Sequence, residues 1–421
     1  MRKIKNILIL AGGDSIRFWP LSEKNLINFL GQPLIQYQVE NLKTFADKIT
    51  IVSSRHNLSL MNRIIKQTAQ IVIQNEQPHG QAGAIISAKE KIEGETLIVN
   101  ANDIFNNNVL TQLINKITHE ELDCLLTAKK IKTYFPGGYL QLEEGKLKSI
   151  IEKPAETNVP SNIVRLVIDY FSDFKTLIKF LETAKINSDD LYEQGINFYL
   201  KNTKKADYIL YNDYWFSLKY PWHVLTMMKY FLNNFVKADK IDQSAKISKK
   251  AIIIGPVIIG KNVKIGDFSK IVGPCFVDDG TIIGDYAMVR ESQISKNSLI
   301  GGYCEVTRSY LGNNVSLHRN YIGDSVLDDS VEFGAGAVTA NFRLDKKPIS
   351  SLVGDKKIDS QLTKFGAIIG KGSKIGVNTT ILPGMKIGKN TFVGSNSLVT
   401  TDLVNNGFFF KNKISKNSYK P

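Results

Sequence analysis

Residues 247–289 read ISKKAIIIGPVIIGKNVKIGDFSKIVGPCFVDDGTIIGDYAMV, and an aliphatic side chain recurs at every sixth position: Ile247, Ile253, Ile259, Ile265, Ile271, Val277, Ile283 and Val289. The same beat returns at Ile369, Ile375, Ile381, Ile387 and Val393, mostly followed by glycine (Gly370, Gly376, Gly388, Gly394). A period of six fits neither a helix nor an alternating strand. It is the period of a left-handed parallel β-helix, in which three steps close one triangular coil and the aliphatic side chains stack inside. The repeat is expected over 241–402, followed by a tail over 403–421 with the aromatics Phe408, Phe409 and Phe410. Flat-sided solenoids commonly pack threefold around an axis, so a homotrimer is expected.

Upstream the rhythm is different. Ile7-Leu8-Ile9-Leu10, Ile49-Thr50-Ile51-Val52, Ile71-Val72-Ile73 and Leu97-Ile98-Val99 are short apolar runs separated by amphipathic stretches. Such runs suit strands buried on both faces and joined by helical crossovers, which predicts a Rossmann-like α/β domain with a mixed, mostly parallel sheet over 1–224. In that architecture ligands bind beyond the carboxyl ends of the strands. Residues 225–240 have helical periodicity and are expected to link the two halves.

Composition narrows the function classes. The 421 residues are 43% hydrophobic and 22% charged, with mean hydropathy −0.12, which describes a globular chain rather than a disordered one. No apolar run approaches the ~20 residues needed to span a bilayer. The basic, apolar start lacks a small-residue cleavage site and reads as a first strand, so a cytoplasmic protein is expected. Cys124, Cys275 and Cys304 are too far apart for metal-ligand spacing and odd in number. The net charge of +14 is spread along the chain rather than gathered into a stripe, which points to anionic small molecules rather than to nucleic acid.

The first strand runs into Ala11-Gly12-Gly13-Asp14-Ser15-Ile16-Arg17, then Lys24, then Gly31-Gln32-Pro33. Glycines let the backbone approach phosphates closely, and arginine meets their charge with a planar fork. The order of glycine turn, arginine, and lysine seven residues before a second glycine resembles the sugar-1-phosphate nucleotidyltransferases. Pro78-His79-Gly80-Gln81-Ala82-Gly83, Asp103 just past a strand, Glu152-Lys153-Pro154 and Trp215 through Trp222 extend the resemblance over about residues 5–225. It implies in-line attack of a sugar-1-phosphate on the α-phosphate of a nucleoside triphosphate, with pyrophosphate leaving. Ala11, Gly12, Gly13, Gly80 and Gln81 would hold the nucleotide, Arg17 and Lys24 its phosphates, Asp103 a Mg²⁺ ion, and Glu152 and Lys153 the sugar phosphate. The sequence departs from that pattern at Ser15 and Glu23, where Gly and Pro are usual. Arg165 and Val167 replace an Asn and a Gly of the sugar pocket, and Ser217 replaces a second metal-binding acid or amide.

Midway through the repeat the six-residue beat falters and polar residues gather. His318-Arg319-Asn320-Tyr321-Ile322-Gly323-Asp324, then Phe333-Gly334-Ala335-Gly336 and Asn341-Phe342, resemble the acetyltransferase half of the bifunctional enzymes that make UDP-N-acetylglucosamine, the archaeal type in particular. An amine must be neutral to attack a thioester, and a base that titrates near neutrality suits that step. The resemblance makes His318 that base, with Arg290, Arg308, Tyr321 and Lys347 on the sugar phosphate, and Ala335 and Asn341 on acetyl-CoA. The expected protein is therefore a multifunctional enzyme of nucleotide-sugar biosynthesis whose substrates are a nucleoside triphosphate, UTP first, a sugar-1-phosphate and acetyl-CoA. Two alternatives stand beside it: an acetyltransferase with a binding-only N-terminal half, and a nucleotidyltransferase with a scaffolding β-helix.

Overall fold

The computed structural model describes residues 2–65, 67–184, 190–203, 205–411 and 413–416. The chain folds as two compact units: Met1–Asp14 with Pro33–Ser217, and Ser15–Gln32 with Leu218–Pro421.

In the first unit the apolar runs become the strands of a mixed sheet. Ile4–Ala11 lies between Ala46–Ser53 and Thr96–Asn100, parallel to both, and Gln70–Ile73 continues the parallel part outward. Ile7, Leu8 and Ile9 are fully buried, as expected for β-branched and aliphatic residues covered on both faces. Beyond Thr96–Asn100 the sheet turns antiparallel through Ile163–Phe171, which also pairs with Cys124–Lys130 and Gly138–Glu143. A short antiparallel pair, Asp103–Phe105 with Trp215–Ser217, sits apart from the main sheet.

In the second unit the six-residue beat becomes three stacks of short parallel strands. Ile247 pairs with Ile265, Ile253 with Ile271 and Ile259 with Val277, each eighteen residues on. The stacked aliphatics form one continuous buried core from Val257 to Phe409. Many corners carry one residue at positive φ, and asparagine fills several of these places: Asn262, Asn297, Asn314, Asn378, Asn390, Asn396 and Asn406. Asparagine tolerates the left-handed region better than other side chains do. Inside the corners small hydroxyls replace aliphatics and saturate the backbone. Ser292, Ser309 and Ser325 are fully buried, and each hydroxyl accepts an N–H from the following coil.

The beat that falters in the sequence persists in the structure with shorter strides. Successive inward residues are Val289, Ile294, Ile300, Val306, Leu311, Leu317, Ile322 and Leu327, so four sides advance by five residues instead of six. Leu327 then pairs with Ile369, because the chain leaves the coil as a hairpin, Ile349–Val353 with Lys356–Leu362. Beyond residue 402 Gly407–Phe410 still pairs with the coil, and Phe409 closes the core. The chain turns back at Lys413–Lys416, antiparallel to it; residues 417–421 of the expected tail lie outside the described residues. The helix His223–Phe235 begins two residues before the expected linker and covers its first eleven positions.

Candidate active sites

In the first unit Ala11 ends the central strand, and Gly12 and Gly13 follow it. A Cβ on Gly12 would lie 1.8 Å from Gln74 Oε1, whereas one on Gly13 would meet nothing. Gly80 opens the helix Gly80–Ser87 at φ 78, also with open space beside it. Gly83 is different in kind, because its Cβ would stand 1.6 Å from the Pro78 carbonyl oxygen. Backbone N–H groups at such a helix start are what an anionic phosphate needs.

Gln81 and Asp103, assigned separate roles by the sequence, belong to one hydrogen-bonded chain. Gln81 Nε2 donates to Asn100 Oδ1 at 3.0 Å, and Asn100 Nδ2 donates to Asp103 Oδ2 at 3.3 Å. Asn102 Nδ2 donates both to Asp103 Oδ1 at 3.4 Å and to Ser217 Oγ at 3.1 Å. Ser217 faces Asp103 in register across the short antiparallel pair, which explains why a metal-binding pair would be drawn from these two positions. Among the described residues no group of three His, Cys, Asp or Glu side chains is arranged to hold a metal.

Arg165, one of the departures from the family pattern, stands at the centre of a buried ion cluster. Arg165 donates to Asp169 at 2.6 Å and to Glu193, and lies over the Tyr192 ring. The strand bulges between Leu166 and Asp169, at Val167, and the paired guanidinium and carboxylate lie on either side of that irregularity. Burial pushes the Asp169 carboxyl up to about 6, against the opposing pull of Arg165. Glu152 Oε1 accepts from Lys153 Nζ at 3.3 Å, and burial followed by the Glu193 charge raises its carboxyl. A Cβ on Gly138 would lie 3.3 Å from Glu152 Oε2 and 3.6 Å from Arg165 Nε, so the bare glycine leaves room between them.

Arg17 and Lys24 fall in the second unit, on the segment Ser15–Gln32. Arg17 is exposed and Lys24 half-buried. Two departures from the family pattern compensate each other here. Ser15 adopts φ 53, the conformation that favours glycine, and its hydroxyl donates to the buried Glu23 carboxylate at 2.7 Å.

The second polar constellation is drawn together by the shortened sides of the β-helix. Glu291, Arg308 and Asp324 occupy the same corner of three successive coils, each at φ 47. Arg308 is bidentate to Asp324, Nε to Oδ1 at 2.7 Å and Nη2 to Oδ2 at 2.8 Å, and this pairing raises its pKa further. Asn341 Nδ2 donates to Asp324 Oδ2 at 2.5 Å and to Tyr321 Oη at 3.2 Å. Arg290 donates to Thr307 at 3.1 Å and to Glu305 at 3.2 Å. Both arginines expected at a phosphate are therefore already paired with carboxylates. Asp324, which holds Arg308 and Asn341 together, is the residue that motif reading left without a role. The five-residue stride ending at Leu327 was its signal.

His318 is exposed at the corner that precedes the strand Tyr321–Gly323, its Nε2 3.4 Å from Ser316 Oγ, and among the described residues no hydrogen bond joins it to the arginine cluster. Ala335 lies one coil beyond it, where Gly336 N–H donates to the Arg319 carbonyl. The buried Asn320 joins these two turns: its Oδ1 accepts the His318 N–H at 2.5 Å, and its Nδ2 donates to the carbonyls of Gly334 at 2.8 Å and Ala337 at 2.9 Å. Lys347 stands apart, exposed on the excursion after Asn341, with its N–H donated to Asp345.

Comparisons with known proteins match three stretches of the chain. The nucleotidyl transferase family matches residues 6–218, the GMPPB C-terminal domain matches 235–341, and the six-repeat bacterial transferase hexapeptide matches 366–401. The bifunctional protein GlmU of Methanocaldococcus jannaschii is 30% identical over 96% of this chain and 97% of its own length. A bifunctional sugar-1-phosphate nucleotidylyltransferase/acetyltransferase of Sulfurisphaera tokodaii is 33% identical over 96% and 99%. The GlmU of Streptococcus uberis is 24% identical over 94% and 93%. With similarity running the full length of both domains, the chain belongs to the GlmU family of bifunctional sugar-1-phosphate nucleotidyltransferase/acetyltransferases.

Proposed function

We propose that the N-terminal half couples UTP to a sugar-1-phosphate and that the β-helix transfers an acetyl group from acetyl-CoA to an amino-sugar-1-phosphate. In the first reaction a sugar-phosphate oxygen bonds to the α-phosphorus and pyrophosphate leaves. Such a step depends on positioning and charge neutralisation, for which Arg17 and Lys24 are the cations and Gly12, Gly13 and Gly80 the close backbone approach. A Mg²⁺ ion would be held by the Asp103 carboxylate with Ser217 Oγ as a neutral second oxygen, and it would neutralise phosphate charge. One carboxylate suits an ion that keeps several waters and substrate phosphates as its other ligands. Gln81, tied through Asn100 to Asp103, links nucleotide placement to the same carboxylate.

In the second reaction the amine nitrogen bonds to the thioester carbonyl carbon, the C–S bond breaks, and the sulfur leaves as CoA thiolate. His318 takes the proton released from nitrogen. Asn341 and the Gly334-Ala335-Gly336 turn lie on the acetyl-CoA side, and Tyr321, Arg290 and Arg308 on the sugar phosphate side. The observation that carries this reading is the Arg308–Asp324–Asn341–Tyr321 network, which pre-orients a cation, an amide and a phenol on adjacent coils. A homotrimer built on the flat β-helix faces completes the proposal.

Pyrophosphate release and acetyl-CoA consumption, measured on one purified sample with a panel of triphosphates and sugar phosphates, test both halves. The expected result is release with UTP, abolished by Asp103→Ala and untouched by His318→Ala, with the reverse pattern for acetyl transfer. Silence toward every triphosphate, with acetyl transfer intact, would leave the alternative that replacement of a metal ligand by Ser217 favours: an acetyltransferase with a nucleotide-binding domain.

A further inference from the structure

The segment that carries Arg17 and Lys24 is built into the β-helix unit, and one side chain of the coil grips it. Gln293 sits beside the inward Ile294 on its strand, at the place taken by Phe276 and Tyr310 on the neighbouring coils. It is fully buried, and both ends of its amide are spent on the same short stretch of backbone. Nε2 donates to the Asn28 carbonyl at 2.8 Å, and Oε1 accepts the Leu30 N–H at 3.0 Å. Leu30 at φ 50 and Gly31 at φ 80 make the turn between the two-residue strands Asn28–Phe29 and Gln32–Pro33. A leucine in the left-handed region costs about 1 kcal/mol and persists only where its surroundings impose it. Phe29, between the two gripped residues, stacks on Phe231 at 4.8 Å. The far end of the segment is anchored too, Trp19 Nε1 donating to Asn405 Oδ1 at 3.0 Å.

The coil itself has no need of an amide at this position, since aromatic side chains serve on either side of it. We infer that Gln293 is a positioning residue for nucleotidyl transfer. It fixes the turn at Leu30-Gly31, and through the few residues upstream it limits where the Lys24 ammonium and the Arg17 guanidinium can stand. The inference rests on the assignment of Arg17 and Lys24 to the triphosphate.

The test compares full-length wild type with Gln293→Met, which keeps the length and loses both hydrogen bonds, and Gln293→Glu, which keeps only the acceptor. Hydrogen exchange of the peptide covering residues 15–32 reads the grip directly. Triphosphate KM and kcat for pyrophosphate release read its consequence, and acetyl transfer by the same samples reports the integrity of the β-helix. Two neutral hydrogen bonds at about 1 kcal/mol each predict exchange faster by roughly tenfold or more in Gln293→Met. A triphosphate KM raised by a similar factor, an effect at least as large in Gln293→Glu, whose buried carboxylate faces the Asn28 carbonyl oxygen, and acetyl transfer within about twofold are expected alongside it. Unchanged exchange would overturn the grip, and faster exchange with unchanged KM and kcat would overturn the positioning role. A parallel fall in acetyl transfer would make Gln293 a general packing residue and refute the inference. Separately, triphosphate affinity unaffected by Arg17→Ala and Lys24→Ala would overturn the underlying assignment, whatever the exchange shows.

Discussion

Asn320→Ala probes the corner that carries His318. The Asn320 amide closes three hydrogen bonds in a buried corner: with the His318 N–H and with the carbonyls of Gly334 and Ala337. Alanine leaves all three backbone groups without that partner. At about 1 kcal/mol for each, and more for a donor left buried, the β-helix loses about 3 kcal/mol. For a unit of this size that lowers its melting temperature by roughly 6–12 °C. The His318 turn also loses its tether to the following coil, so acetyl-transfer kcat falls while pyrophosphate release persists below the melting range. N320D discriminates further. It retains an acceptor for the His318 N–H but sets a carboxylate against two carbonyl oxygens, so at neutral pH it should destabilise at least as much as alanine. Thermal unfolding of both variants, followed by acetyl-transfer assays, gives the answer. A melting temperature within about 1 °C of wild type together with unchanged acetyl transfer would refute the reasoning.

Three further outcomes are expected. Gly83→Ala, whose methyl would meet the Pro78 carbonyl at 1.6 Å, should cost more than about 3 kcal/mol and abolish triphosphate binding, whereas Gly80→Ala, with open space but φ 78, should cost only about 1 kcal/mol; urea unfolding of the pair checks the contrast. Asp328 is enclosed, its Oδ2 has no hydrogen-bond partner among the described residues, and burial pushes its carboxyl up to about 6. A group whose pKa is raised by folding favours the folded state below its unfolded value near 4 and loses that contribution as pH climbs to about 6. Asp328→Asn should therefore stabilise at pH 8 by about 2 kcal/mol and by little at pH 4, as read from urea midpoints at the two pH values. Ser15→Ala should destabilise the segment by about 1 kcal/mol through loss of the Glu23 hydrogen bond, while Ser15→Gly should be nearly neutral, because relief of the left-handed conformation offsets that loss.

The legible parts of the sequence were those governed by short-range periodicity. The six-residue aliphatic beat specifies a coil because an inward position must recur at every side of a triangular solenoid, and the apolar runs at Ile7 and Leu97 became buried strands of a parallel sheet for the same local reason. The constellation of Arg290, Arg308, Tyr321 and Asn341 was legible from its string of residue types, though the apparent loss of rhythm around it was misleading. The repeat continues there with four of its sides shortened to five residues, and the tightened corners are what bring Arg308, Asp324 and Asn341 into contact. The ion cluster of Arg165, Asp169 and Glu193 was not legible, because a bulge decides which side chains meet and a bulge has no period.

By itself the sequence determined the two architectures, the order in which they occur and the residue types available for each reaction, since these follow from hydrophobic period and motif spacing. Only the tertiary structure decided which of those residues share hydrogen bonds. It tied Gln81 to Asp103 through Asn100, paired both arginines of the second site with carboxylates, and placed the segment of Arg17 and Lys24 on the β-helix through Gln293. Contacts between residues hundreds of positions apart depend on how buried surfaces close over one another. No local pattern in the chain encodes them.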